Sequence, residues 1–387
     1  MDPAVRRDFC EARGLGVNDG AGARCREPHV RSGQVKDVTM KRIIRVAGAW
    51  LTAAVLAAPA MAQNESLLLY QGSDRQERLV EAARAEGELM LYTTLAEKNL
   101  RPLIEPFEKQ YGVKVEVWRA GTSRVLQRAV SEAAAGRHEV DAYHFGSPQL
   151  EALYRENLLQ PVESPLFAQL ADEAVPAHKQ WASTVFQVYV QAYNTDRIKK
   201  EALPKRYEDL LDPKWKGKLG IESESWLWYA ALMKSMGEEK GRALFTEIVE
   251  RNGMSQRYGY SLVNNMVVAG EVPLALTVYS HMPQASKDKG APIDWFVLEP
   301  AIARANGIAI ARHAKHPNAA LLFYEYMLSA DGAQGVFASM DYVPANTKLP
   351  SPLPDLRLRM ADPVAALDEV DKWVGQFREV FGQGPTR

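Results

Sequence analysis

The hydrophobic pattern is clearest around residues 270–281. Residues 272–278 form a short, mostly apolar run that is closed by polar residues at its C-terminal side. It is too short for a helix and reads as a strand buried on both faces of its sheet. Upstream, the pattern alternates between two periods. Residues 75–85 suit a short amphipathic helix, and 89–92 read as a strand. Leu100, Leu103, Ile104, Phe107 and Tyr111 then recur at helical spacing. Residues 113–118 alternate as a second strand. Val125, Leu126, Ala129, Val130 and Ala133 form the next helical stripe, stopped by Gly136. Residues 140–145 make a third strand, followed by Leu150, Leu153, Tyr154 and Leu158 on a helix. Strand alternating with helix predicts an α/β fold with a mostly parallel sheet covered on both faces.

The second half carries a longer β-type run at 184–193 and a strand at 219–222. Trp226, Tyr229, Ala230 and Met233 share one helix face, and Phe245 and Val249 continue the helical region. Val370, Trp373, Val374, Phe377 and Phe381 form a stripe near the C-terminus. No internal repeat, low-complexity segment or long flexible linker separates these elements.

The first 62 residues depart from this pattern. Residues 40–45 are basic, 46–58 are an apolar run of 13 residues, and Ala60-Met61-Ala62 has the small-residue form of a cleavage site. A membrane span needs about 20 apolar residues, so 40–62 reads as an export signal. Met40 is then the expected start, and 1–39 an upstream extension. Without 1–62 the chain has 37 Lys+Arg and 42 Asp+Glu, a net charge of −5. Cys10 and Cys25 leave with that segment, so the exported chain is expected to rely on core burial and to carry no lipid anchor. The absence of a basic stripe argues against nucleic-acid binding.

Candidate chemistry follows from strand ends, where open α/β sheets bind ligands. The run at 272–278 would hand Tyr279, Ser280 and His281 to a cleft. Thr93 and Thr94 follow the first strand, where they either cap the next helix or touch ligand. Gly121-Thr122-Ser123-Arg124 opens a helix; its free N–H groups, hydroxyls and guanidinium would suit an anion, and an ordinary N-cap is the plainer reading. Gly146 and Ser147 end the third strand, with Tyr143 and Phe145 read as packing aromatics. On the second half, Ser223 and Trp226 sit at a helix start beside Glu222 and Glu224, acidic residues that suit a helix dipole. Arg257, Tyr258 and Tyr260 precede the helix that leads into the 272–278 run. His313 and His316 read as surface residues. The chain has no G-x-S-x-G, P-loop, H-E-x-x-H or G-x-G-x-x-G pattern, which argues against an enzyme.

The frame at 270–281, the Gly-Ala-Pro turn at 290–292, strands at 294–298 and 307–311 and the helix opening at Pro317-Asn318-Ala319-Ala320 together resemble the bacterial periplasmic solute-binding proteins of ABC importers, ferric-ion-binding class. The resemblance covers residues 87–348. It implies a two-lobed type II periplasmic-binding fold, each lobe a mixed, mostly parallel sheet flanked by helices, with two hinge crossovers. The expected lobes are 63–186 with a return segment at 299–345, and 187–298, with a tail at 346–387 on the second lobe. It also implies a monomer, free in the periplasm, that closes on a small solute and delivers it to a membrane permease. Ferric-binding members carry two adjacent tyrosines where this chain has Tyr279, Ser280 and His281. The first reading of the ligand is therefore a small organic anion, a carboxylate or phosphonate, at Thr93, Thr94, Thr122, Ser123, Arg124 and Tyr279, with no cofactor. The alternative is transported Fe(III) on Tyr279 and His281, with an anion at Thr122 and Ser123. A periplasmic enzyme and a ligand-loaded sensor are more remote.

Overall fold

The computed structural model describes residues 66–382. The expected export signal and the segment before it lie outside them. Helix α1 (Arg75–Glu86) precedes β1 (Glu88–Thr93). Then come α2 (Glu97–Tyr111), β2 (Lys114–Arg119), α3 (Thr122–Ala134), β3 (Ala142–Gly146) and α4 (Ser147–Arg155). β1 pairs in parallel with both β2 and β3. This is the alternation that the two hydrophobic periods predict.

The run at 184–193 is β4 (Ala182–Asn194), 13 residues long and buried throughout. After it come β5 (Leu219–Glu222), α5 (Trp226–Met236), α6 (Glu238–Asn252), β6 (Ser255–Arg257) and α7 (Tyr260–Val268). Next are β7 (Leu274–Tyr279), α8 (His281–Asp288), β8 (Ile293–Phe296), β9 (Ala301–Ile310) and α9 (Pro317–Leu328). Short elements α10 (Gly335–Ser339), β10 (Val343–Pro344), β11 (Leu358–Met360) and α11 (Pro363–Asp368) lead to α12 (Val370–Phe381).

β4 belongs to two sheets. Up to Val188 it pairs antiparallel with β9 and β10; from Tyr189 it pairs antiparallel with β7 and β8. The resulting strand order is β2-β1-β3-β9-β4-β7-β5-β6. Its buried Gln191 is satisfied from neighbouring strands: the side-chain amide donates to the Leu276 carbonyl at 3.2 Å, and its oxygen accepts from the Leu298 amide at 2.6 Å. One core gathers Leu91, Phe107, Phe145, Val185 and Phe323; a second gathers Tyr207, Trp228, Tyr229, Phe245, Phe377 and Phe381. Tyr229 meets Phe377 and Phe381 edge-on, with centroids 6.0 and 5.8 Å apart, which packs α12 on α5. Such pairs contribute about 0.5–1.5 kcal/mol each beyond the area they bury.

One boundary departs from the sequence reading in a way that matters. The return strand, expected at 307–311, begins at Ala301. Its stretch 301–306 is rich in alanine and includes Arg304 and Asn306, so it carries little strand signal of its own. Pairing with β4 and, at residues 301–303, with β11 decides it.

Candidate functional site

A cavity of about 650 Å³ lies where the C-terminal ends of β1, β2 and β3 face those of β5 and β7. The first half of the chain lines it with Thr94, Arg119, Thr122, Ser123, Arg124 and Gln149. The opposite wall holds Glu222, Trp226, Tyr258, Tyr260, Tyr279 and His281. Gln187 on β4, with Arg304 and Asn306 on β9, completes the lining. The walls already touch at the rim: the Ser123 hydroxyl donates to Glu224 Oε1 at 3.4 Å. A Cβ at Gly121 would lie 3.0 Å from the Tyr258 hydroxyl.

Seven of the expected site residues line this cavity: Thr94, Thr122, Ser123, Arg124, Trp226, Tyr279 and His281. Four do not. Thr93 is fully buried; its hydroxyl donates to the His144 carbonyl at 3.0 Å and accepts from the Leu95 amide at 3.1 Å, so it holds the turn after β1. Strand alternation sends Thr93 inward, and Thr94, just past the end of β1, is left to line the cavity. Ser147 is also fully buried, and its hydroxyl has no partner. Ser223 does not reach the lining; its amide donates to the Arg257 carbonyl at 2.9 Å. Gly146 lies beneath the floor, where a Cβ would stand 2.9 Å from Gln149 Oε1 and 3.2 Å from Arg304 Nη1.

Thr122 and Ser123 are the first residues of α3, and its N-cap Gly121 provides no side-chain cap. The helix start therefore presents its amides without an ordinary cap. His281 is buried and stacked on Tyr342, with centroids 3.8 Å apart. Burial, with the charge of Lys98 adding to it, pushes its imidazole down to about 3, so the ring is neutral at pH 7.

The structure supplies what the local sequence lacks. Tyr260, the first residue of α7, brings its ring to 4.2 Å from that of Tyr279 (centroid to centroid), and Tyr189 completes a cluster at 5.1 Å from Tyr279 and 6.2 Å from Tyr260. Two tyrosines from different elements, Tyr260 of α7 and Tyr279 of β7, thus stand together on the cavity wall. Gly259 makes this arrangement: its φ of 102° lies where only glycine is comfortable, and it turns the chain into α7. The Gly259 amide is held by Glu222 Oε1 at 3.0 Å, while Glu222 Oε2 accepts from the Glu224 amide at 2.8 Å. Glu222 is a buried tie between two turns, and burial raises its carboxyl to about 7. The Tyr260 hydroxyl lies 3.2 Å from Ser225 Oγ. The Tyr279 hydroxyl is buried and has no partner in hydrogen-bonding geometry. Burial pushes both phenols well above their ordinary value.

Arg304, Gln187, Asn306 and Tyr342 were not singled out from the sequence. Arg304 Nε donates to Gln187 Oε1 at 2.9 Å, and its Cζ lies 5.3 Å from the Tyr279 ring centroid. Among the described residues, no group of three or more His, Cys, Asp or Glu side chains is placed to hold a metal ion, and no helix is long and apolar enough to cross a membrane.

Comparison with known proteins agrees with this architecture. Residues 102–356 match the family described as bacterial extracellular solute-binding protein. An Fe(3+)-binding periplasmic protein of Serratia marcescens is 26% identical over 206 residues, 52% of this chain and 60% of that protein. Iron uptake protein A1 of a Synechocystis species is 25% identical over 298 residues, 72% of this chain and 81% of that protein. The iron-bound structure of HitA from Pseudomonas aeruginosa superimposes with a TM-score of 0.66 at 23% identity, covering 76% of this chain and 99% of that one. AfuA from Actinobacillus pleuropneumoniae, with fructose-6-phosphate bound, superimposes with a TM-score of 0.68 at 22% identity and the same coverage. These structures have the two-lobed type II periplasmic-binding fold, and at such identities they speak for fold alone. With a family match spanning most of the chain and a sheet, crossover strand and interlobe cavity of the same architecture, the protein belongs to the bacterial extracellular solute-binding proteins.

Proposed function

We propose that the chain is the periplasmic binding component of an ABC uptake system, closing on its cargo and passing it to a membrane permease, and that the cargo is ferric iron. The observation that carries this reading is the pairing of Tyr260 with Tyr279, whose rings lie 4.2 Å apart on the cavity wall. Fe(III) is a hard cation and takes phenolate oxygen well. The relatives named for iron favour the same cargo. The organic-anion reading rests on the missing tyrosine doublet, on the anion-suited turn at residues 121–124 and on the polar donors Thr93, Thr94 and Tyr279; a pair assembled from β7 and α7 removes the first of these grounds. Tyr260 and Tyr279 would provide the phenolates, each losing its proton on loading. The buried Tyr279 hydroxyl, which makes no hydrogen bond of good geometry among the described residues, supports a ligand role. His281 lies near this pair, its ring 6.1 Å from that of Tyr279, as a neutral imidazole.

The test is optical. Protein loaded with Fe(III) should show a broad visible band from phenolate-to-iron charge transfer, and Tyr279→Phe should abolish or shift it. Colourless protein at full occupancy would rule the reading out. A metal-free organic anion is the second reading. It is favoured by Arg304, whose guanidinium faces the cavity without an ion pair among the described residues.

A further inference from the structure

We propose that helix α11 is a clasp between the two halves of the protein, docked on α4 of the first and α5 of the second, and that its α4 side releases when the cleft opens. The proposal rests on the reading that the cleft opens and closes, and on no particular cargo. β4 and the chain between β8 and β9 join the halves covalently. The C-terminal segment adds a third tie. β11 pairs in parallel with the start of β9 at residues 301–303, and the Ala361 amide donates to the Ala303 carbonyl at 2.7 Å. Asp362 then caps α11, accepting from the Val364 and Ala365 amides at 2.9 and 3.1 Å. On one side, Ala361 and Ala366 are buried against Leu227 of α5. Leu227 also lines the cavity, so the clasp stands directly behind the cavity wall. On the other side, Arg155, the last residue of α4, donates from Nη1 to Asp368 Oδ1 at 2.6 Å. The next residue, Glu369, is paired with Lys234 of α5 at 2.6 Å. Consecutive residues are thus tied to opposite halves, where the chain passes from α11 to α12.

The two ends differ in strength. α12 buries Trp373, Phe377, Val380 and Phe381 in the second core, and Lys372 and Gln376 both donate to Glu238 of α6. Side chains of that size bury much apolar area, so this end stays in place. Toward α4 the clasp offers Asp368, 56% exposed, to Arg155, 36% exposed. Ion pairs this open to water are weak. Arg155 also lies 3.8 Å from Glu151 Oε1, so a second carboxylate on α4 itself receives the guanidinium when Asp368 leaves. α4 and α5 both begin at the cavity, which Gln149 and Trp226 line, and spreading of the walls separates the two helices. Of two contacts in series, the weak and replaceable one yields. A docked clasp therefore favours the closed arrangement, in which the rim touches at Ser123 and Glu224.

The experiment compares three proteins with the wild type. Asp368→Arg sets like charges against each other at α4 and leaves the α12 ties alone. Arg155→Glu combined with Asp368→Arg restores the pair in reverse. Glu379→Arg is the control, because Arg242 and Glu379 form an exposed ion pair of 2.9 Å that lies within the second half. Two readouts are taken: small-angle scattering of the unliganded protein, and the rate at which protein loaded with Fe(III) citrate gives up iron to an excess of chelator. Asp368→Arg is expected to have the larger unliganded radius of gyration and to release iron about two- to fivefold faster. The charge swap should return both readouts toward wild type, and Glu379→Arg should change neither. Scattering and release that both match the wild type in Asp368→Arg would overturn the proposal, as would the same change in Glu379→Arg or no recovery in the swap. Fe(III) citrate that leaves the wild type colourless and its scattering unchanged would reject the ferric reading, and the unliganded scattering of the variants would still decide the clasp.

Discussion

Replacing Tyr279 by Phe should make the unloaded protein more stable while removing its response to ligand. The side chain is 2% exposed, and its hydroxyl makes no hydrogen bond of good geometry among the described residues. An unsatisfied buried polar group costs about 1–3 kcal/mol. Phe keeps the ring and with it the packing against Tyr260, Tyr189 and Arg304 at 4.2, 5.1 and 5.3 Å. The unloaded variant should therefore gain about 1 kcal/mol, a rise of roughly 1–3 °C in Tm for a chain of this size. A saturating ligand at a hundred times its Kd stabilises the wild type by about 2.7 kcal/mol, and most of that shift should vanish. Scanning calorimetry with and without Fe(III)-citrate reads both effects. Tyr92→Phe is the contrast: its hydroxyl donates to Glu132 Oε2 at 2.8 Å inside the fold, so its loss should destabilise by about 1 kcal/mol. If Tyr279→Phe destabilises the unloaded protein as Tyr92→Phe does, the Tyr279 hydroxyl serves the fold and the reasoning fails.

Proton release offers a second check. Burial holds Tyr260 and Tyr279 far above pH 7, so both are protonated before loading. Binding as two phenolates should release about two protons per iron, and apparent affinity should fall about a hundredfold for each pH unit lowered. An indicator dye in weak buffer, with the chelator's own protons subtracted, measures this, and no release would exclude phenolate ligation. The acid side of the stability profile is a third. Burial pushes His144 and His281 down to about 3. Their stabilising contribution is complete above about pH 6.5, the unfolded value, and is lost as pH falls toward 3. Glu222, raised to about 7, acts oppositely: its contribution is present below about pH 4.5 and is lost as pH rises through 7. Between about pH 4.5 and 6.5 these three groups leave the unfolded state holding roughly one extra proton, so stability should rise by about 1.4 kcal/mol per pH unit. His144→Gln should remove about that much slope in urea midpoints taken across this range, and an unchanged slope would show that the ring is not neutral in the fold.

The alternation of periods between residues 89 and 158 was enough to place β1, α2, β2, α3, β3 and α4, because each stripe reports which face of a short segment is buried. The end of the buried run at 272–278 likewise pointed to Tyr279, since a strand that stops with polar residues must hand them to a boundary. Thr93 and Ser147 were harder. Neighbours in sequence, Thr93 and Thr94 went to opposite environments, and only the pairing of β1 with β3 determines which threonine is buried.

The sequence by itself determined the fold class, the order of its elements and the strand ends at which a cleft forms, because these follow from local periodicity and chain connectivity. The tertiary structure alone decided the site's composition. Tyr260 meets Tyr279 only because Gly259 adopts a positive φ and Glu222 ties that turn to β5. Arg304 stood in an alanine-rich segment with no signal of its own until β4 paired alongside it, with Gly146 leaving space and Gln187 aiming the fork. The missing doublet at Tyr279-Ser280 therefore described one strand end and not the site. Side chains that converge from separate elements leave no spacing in the sequence, since their meeting depends on long-range packing and not on local period.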